Sequence, residues 1–261
     1  MSEDINQNII SEALNKPYSR FCLDIITLQN EHQEKTLKGM YVYVKLFEDN
    51  LEQLSSAILG LNHVPKKDWK PHNALQAVLI SKTPKTLFSA FQQVLHGDHH
   101  EGLATCRIAY ETLLAVCFIA KYPESQWSII KAQKGERAFN PSNFLKDNLK
   151  VVDEDPFYGF LSYPIHCQKL SVMSDLKVGM ERGLILDLGY RYDDKELSIA
   201  LNNLIAVLYF SSRLFQRIFN DFLHNTRYYL NDLKALEISI KGMPNQFSEF
   251  PVLVDKIVSA L

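Results

Sequence analysis

Cysteine is scarce in this 261-residue chain: Cys22, Cys106, Cys117 and Cys167 are scattered, with no C-x-x-C pair among them. Cys106 and Cys117 fall inside an apolar helical run and read as buried, reduced thiols. Glycine and proline number only ten each, which disfavours collagen-like and low-complexity architectures. No charge of one sign dominates, since 28 Lys and Arg stand against 30 Asp and Glu, a net of −2. That balance argues against a polybasic membrane binder and against general DNA binding, while leaving room for a local basic patch. The longest apolar stretch, Leu103 to Ala120, is interrupted by Arg107 and Glu111. A charge at the centre of a membrane helix costs about 2.5–3.5 kcal/mol, so no span is expected. The opening MSEDINQNIISEALNKP has no basic segment followed by an apolar one, and the expectation is a soluble, cytoplasmic protein. P-loop, dinucleotide, zincin and nucleophile-elbow motifs are all missing, and no cofactor or metal is expected.

What is present is apolar residues at helical spacing. With 46% hydrophobic and 22% charged residues the chain can bury a sizeable core. Leu37, Met40, Tyr41, Val44, Phe47, Leu51, Leu54 and Ile58 recur at three- and four-residue steps and predict one amphipathic helix over 33–62. Val64 to Pro71 reads as a loop, with Lys66, Lys67 and Lys70 around Trp69. Pro84 opens a helix to about His96, Gly97 fits the left-handed position after it, and Asp98 with Glu101 resembles a capping box. The helix that follows, about 99–121, is apolar nearly all round and is expected at the centre of a bundle, against a helix over 194–224 that opens at Asp193 and Glu196. Asn140-Pro141-Ser142 reads as a turn and cap, Asp155-Pro156 as the start of a short helix. Gly179, Gly183 and Gly189 punctuate 177–194 as an irregular excursion or hairpin. A helical segment over 228–241 and a short C-terminal turn or helix complete the pattern. The reading is a single all-α helical bundle over 1–261, with its core in 33–241 and with 1–20 and 244–261 peripheral.

A few polar groups could carry chemistry. Arg107 and Glu111, four apart, share one face of the most apolar helix, either as a tie between helices or as part of a pocket. Ser162 and His166 are also four apart around Pro164, with His166 as a capped core residue or as an acid/base facing Arg107 and Glu111. Arg217 and His224 lie seven apart on the long helix, beside Arg213, Asn220 and Asp221. They form a solvated helix end, or a cation that stabilises a phosphate next to an imidazole that moves protons. His96, Asp98, His99, His100 and Glu101 look like metal ligands, but their spacing fits no standard zinc signature, and a capped interhelical loop is the better account. Lys66, Lys67 and Lys70 around Trp69 could touch nucleic acid, though a charged loop is common.

The stretch HEGLATCRIAYETLLAVCFIAK, ending at Lys121, followed by a later Leu-Ser-x-x-x-His, resembles an uncharacterised bacterial all-helical family with Arg-x-x-x-Glu and Ser-x-x-x-His motifs. It is also distantly similar to the HEPN superfamily. Arg107, Glu111, Ser162 and His166 match the first pattern. Arg217 and His224 match the Arg-x(4–6)-His spacing of HEPN ribonucleases and depart from it at Ile218, where that family usually has a polar residue. The resemblance implies a metal-independent ribonuclease of a bacterial stress or defence system, working as a homodimer on RNA. The alternatives are a non-catalytic interaction or dimerisation module with a structural Arg–Glu–His network, or a helical protein that binds a small molecule or nucleotide.

Overall fold

The computed structural model describes residues 20–125, 139–148, 161, 176–179, 183–186, 192–223, 233–242 and 248–261. The described residues form an all-α bundle with one small hairpin. Its helices are α1 (Arg20–Gly39), α2 (Tyr41–Gly60), α3 (Pro71–Leu95), α4 (His99–Lys121), α5 (Asp194–Leu223), α6 (Leu233–Lys241) and α7 (Phe250–Ser259). The excursion expected near 177–194 contains an antiparallel hairpin, β1 (Leu176–Gly179) and β2 (Gly183–Leu186), with Gly179 opposite Gly183. The expected short helix at Asp155-Pro156 lies outside the described residues.

The single helix expected over 33–62 is two helices, because a bend falls at Met40. Backbone bonds continue through it, from Met40 to the Thr36 carbonyl at 2.8 Å and from Val44 to that of Met40 at 3.0 Å. The bend accommodates a neighbour, since a Cβ on Gly39 would sit 2.7 Å from the Tyr192 hydroxyl.

The helix that Pro84 was expected to open begins thirteen residues earlier, at Pro71, and Pro84 lies inside it. An interior proline costs about 3 kcal/mol through its lost N–H and its clash with the preceding turn. Burial on both sides of Pro84 offsets that cost: Ile80, Leu87, Ala90, Phe91 and Val94 are at most 1% exposed. Proline is therefore compatible with this helix because packing, not propensity, holds it.

Gly97 closes α3 as its sequence position suggests, at φ 93°. The Gly97 N–H bonds to the Val94 carbonyl (3.1 Å) and the Asp98 N–H to the Gln93 carbonyl (2.9 Å), the paired bonds of a Schellman turn. The Asp98 side chain makes no capping bond to α4, contrary to the capping-box expectation; its backbone, at ψ 61°, is not in the extended conformation usual for an N-cap. Burial, with Glu101 nearby, raises the Asp98 carboxyl above its usual range. Asn140 and Asp193 do cap, accepting from the Asn143 N–H and from the Lys195 and Glu196 N–H groups.

The turn folds α4 back along α3, and this is the most extensive helix pair in the molecule. Gly102 makes the approach possible: a Cβ there would meet Val94 Cγ2 at 2.5 Å and the Ala90 carbonyl oxygen at 3.0 Å. Thr105 ties the pair further by donating to Gln93 Oε1 at 2.8 Å. The centre of the bundle is α5 rather than α4. Every residue from Ala200 to Ser212 is buried, whereas α4 leaves Ile108 57% exposed. Tyr110 of α4 meets Phe210 of α5, and Phe47 of α2 stacks on Phe91 of α3 at 4.7 Å. Helices α4 and α5 are long and apolar enough to cross a membrane by length and composition, but both are core helices of the bundle, with 83% of the α5 window buried. The C-terminal segment, expected to be peripheral, supplies α7, whose Phe250, Val254 and Ile257 are buried in the core.

A buried histidine fastens α1 to the α3–α4 turn. His32 is 1% exposed. Its Nδ1 lies 2.9 Å from the carbonyl of Leu95, the last residue of α3. A carbonyl can only accept, so Nδ1 carries the proton, and Nε2 is left buried without a partner. The His99 ring lies 5.1 Å away, edge-on, and its Nδ1 is 3.8 Å from Glu196 Oε2. Burial depresses the His32 pKa against the Leu95 hydrogen bond, and His99, Lys35 and His96 depress it further.

Two outcomes follow from this packing. Gly102→Ala lowers stability by about 1–3 kcal/mol, the scale for overpacking, measured by urea unfolding; an unchanged midpoint shows that α3 and α4 are not in close contact. A histidine held neutral in the fold contributes its full stability above the unfolded pKa near 6.5 and loses it as pH falls below that value. The melting temperature accordingly drops between pH 7.5 and pH 5, and His32→Leu flattens that part of the profile; superimposable profiles would place the acid sensitivity elsewhere.

Candidate functional site

The basic loop before α3 is held in place by its aromatic residue. Trp69 packs against Phe222 and Phe219 of α5, at ring distances of 5.4 and 6.1 Å. Lys66 lies over the Trp69 ring, 3.9 Å from its centroid, and donates to the Leu61 carbonyl. Lys67 and Lys70 are exposed. Pro71 then starts α3 at the position where its missing N–H costs nothing. Lys70 is the residue before that first turn and has no acceptor in its side chain, so no carboxylate or hydroxyl from that position covers the helix N-terminus.

Trp69 brings this N-terminus beside the last turns of α5. There Arg213 pairs with Asp255 of α7 at 2.6 Å. Arg217, one turn on, is exposed and has no hydrogen-bond or ion-pair partner among the described residues. His72, Asn73, Gln76, Ala120, Arg217, Ile218 and Leu261 line a cleft of about 170 Å³. Asn73 Oδ1 accepts from the Lys70 N–H at 3.1 Å, which fixes the loop-to-helix entry. Gln76 is 2% exposed, with Nε2 3.5 Å from the Val116 carbonyl and Oε1 without any partner. The cleft thus joins the Arg217 guanidinium to the positive end of the α3 dipole, two features that favour an anion, although the Asn73 and Ala74 N–H groups are already taken by the Lys70 carbonyl. Ligand pockets for drug-sized molecules run to roughly 300–1,000 Å³. This one is smaller and suits a single phosphate with the group attached to it.

Of the residues singled out in the sequence, Arg217 lies in this cleft, while Ser162, His166 and His224 lie outside the described residues. Arg107 and Glu111 do pair, Nε to Oε1 at 2.8 Å, but at the rim of α4 with side chains 15% and 35% exposed, not within the core. Arginine precedes glutamate, the less favourable order for a pair on one helix, so helix stability alone does not account for it. The His96–Glu101 cluster is divided between the Schellman turn and the His32 contact. No three His, Cys, Asp or Glu side chains converge as a metal site among the described residues. Burial pushes the thiols of Cys106 and Cys117 far above the usual range, so neither is a nucleophile.

His72 and Gln76 escaped the sequence reading. They are four apart, a spacing that puts both on one face once residues 71–83 are helical. A loop ending at Pro71 and a helix starting at Pro84 leave both His72 and Gln76 outside any element.

A partly exposed pair is worth far less than a buried one. Glu111→Gln lowers stability by about 1 kcal/mol, measured by urea unfolding, against the roughly 3–5 kcal/mol that breaking a buried pair costs. A loss in that higher range would mean the pair is sealed from water.

Compared with protein-family models, with curated proteins and with solved structures, the chain gives no match.

Proposed function

We propose that this protein acts on RNA without a metal ion, holding a backbone phosphate in the cleft between the start of α3 and the end of α5. The observation that carries this reading is Arg217, an exposed guanidinium without a partner among the described residues, lining one cleft with His72 at the start of α3. Lys66, Lys67 and Lys70 extend the positive charge along the strand's path, so a chain of net charge −2 still presents a local basic patch. The small cleft favours one phosphate of a polymer over an enclosed nucleotide.

The chemistry needs two groups. An imidazole takes the proton of a ribose 2′-hydroxyl, and the freed oxygen attacks the adjacent phosphorus. The P–O5′ bond breaks, leaving a 2′,3′-cyclic phosphate and a 5′-hydroxyl once the leaving oxygen is protonated. Arg217 stabilises the charge that builds on the phosphorane oxygens, and His72 is the base. His224, seven residues after Arg217 in the sequence and outside the described residues, is our candidate for the acid that protonates the leaving group.

The test incubates purified protein with labelled single-stranded RNA in EDTA. His72→Ala keeps RNA binding and loses cleavage by roughly 10²–10⁴-fold, the range for general acid–base groups. Arg217→Ala weakens binding and makes the slope of log K against log salt shallower by about 0.7, the value for one released counterion on a single strand. His166→Ala and His224→Ala run alongside to locate the acid. A folded protein that neither binds nor cuts RNA overturns the proposal in favour of the interaction module.

A further inference from the structure

We infer that α1 is an arm that mild acid releases as a unit, because proton uptake by His32 breaks the contact that docks it while α2 to α7 stay packed. The inference is independent of the cleft, which lies at the other end of α3.

Helix α1 is held differently from the rest of the bundle. From Asp24 onward its buried residues are His32 and Thr36, both polar. None of its described side chains belongs to the buried apolar core or packs against it, whereas each of α2 to α7 supplies core residues. Ile26, Leu28 and Leu37 are exposed instead. A helix in a protein owes most of its stability to an apolar face buried against its neighbours. With no such face described, α1 depends on the contact that His32 makes. Its junction with α2 is the bend at Gly39 and Met40, where the absent Cβ leaves room for the Tyr192 hydroxyl, and this is the point about which α1 swings.

The docking contact accepts only a neutral imidazole. His32 Nδ1 donates to the Leu95 carbonyl at 2.9 Å, with the Thr36 hydroxyl 3.3 Å from the same nitrogen. Nε2 is buried without a partner. A second proton there would be a donor with no acceptor and a charge with no counter-ion, both costly in a buried place. The surrounding groups do not relieve it. The His99 ring of α4 stands 5.1 Å away, and the Tyr192 ring ahead of α5 stands 5.3 Å away. Lys35 of α1 and His96 at the end of α3 add charge of the same sign. The acids of the cluster sit with other histidines, Glu196 at 3.8 Å from His99 Nδ1 and Asp98 beside His96 and His99. Water is the acceptor that remains, and it reaches Nε2 when α1 swings out. Burial holds the docked His32 below its ordinary pKa, so acid favours the released arm.

The test is amide hydrogen exchange of the full chain, read by mass spectrometry and corrected for the intrinsic rate at each pH. Amides from Glu31 to Lys38 are expected to be less protected than those from Ala200 to Ser212, because the arm opens on its own. Their opening constant rises about tenfold between pH 7.5 and pH 5.5, the most that one histidine with an ordinary pKa near 6.5 can supply over that range. His32→Asn keeps a donor in the place of Nδ1 and cannot titrate, so its opening constant is the same at both pH values. Equal protection in α1 and α5 overturns the separate release. No rise in acid, or a rise that survives His32→Asn, overturns the role of His32. If His32→Asn leaves α1 unprotected at both pH values, the onset in the parent protein decides. An onset near pH 6.5 supports the imidazole, and one confined to the carboxylate range overturns it in favour of Asp98 or Glu196.

Discussion

The close approach of α3 and α4 organises the rest of the molecule. Without a side chain at Gly102, α4 sits against the backbone of Ala90 and the side chain of Val94. That contact, set by the Schellman turn at Gly97, fixes which faces the hairpin offers to α5. Cys106 then reaches the Asn203 carbonyl and Tyr110 the ring of Phe210. Helix α5 lies against this surface, and its far end is where Trp69 docks. A packing detail at one end of α3 thereby determines what stands beside its other end.

The helical character of the chain was legible because it depends on a repeating signal. Helix α4 begins and ends where Asp98 and Pro123 predict, and α5 opens at Asp193 as its cap suggests. Sequence reading failed where tertiary contact overrides a local rule. Pro84 looks like a start because proline is unfavourable inside a helix, and only the burial of Ile80 and Leu87 shows why it is tolerated. Gly39 and Met40 sit within an unbroken apolar period, and the neighbour that needs a glycine there, Tyr192, is over 150 residues away in sequence. A short helix at the C-terminus is among the expected alternatives, but its place in the core is not, because Phe250, Val254 and Ile257 are too few to mark a buried face.

The candidate site shows the same division. Arg217 is identifiable from charge at helical spacing, but its neighbours come from another helix whose first turns the sequence reading leaves unassigned. Arg107 and Glu111 pair as their spacing suggests, at 15% and 35% exposure, and Ile108 beside them is 57% exposed, because an apolar helix is not buried on every side. The basic loop around Trp69 looked generic until Phe219 and Phe222 gave the indole somewhere to dock. Charge marks a residue as worth attention, and only packing says which other groups it meets.

Pro84 has a consequence for how α3 opens. It has no N–H to bond the Ile80 carbonyl, so the ladder of backbone bonds has one rung fewer between residues 71–83, which carry His72 and Gln76, and residues 85–95, which carry the contact with Gly102. The helix is thereby two cooperative units joined at a weak seam. Amides before the proline exchange with solvent through openings of their own, while those after it exchange only when the hairpin with α4 comes apart. The half that lines the cleft can breathe without loosening the half that holds the fold.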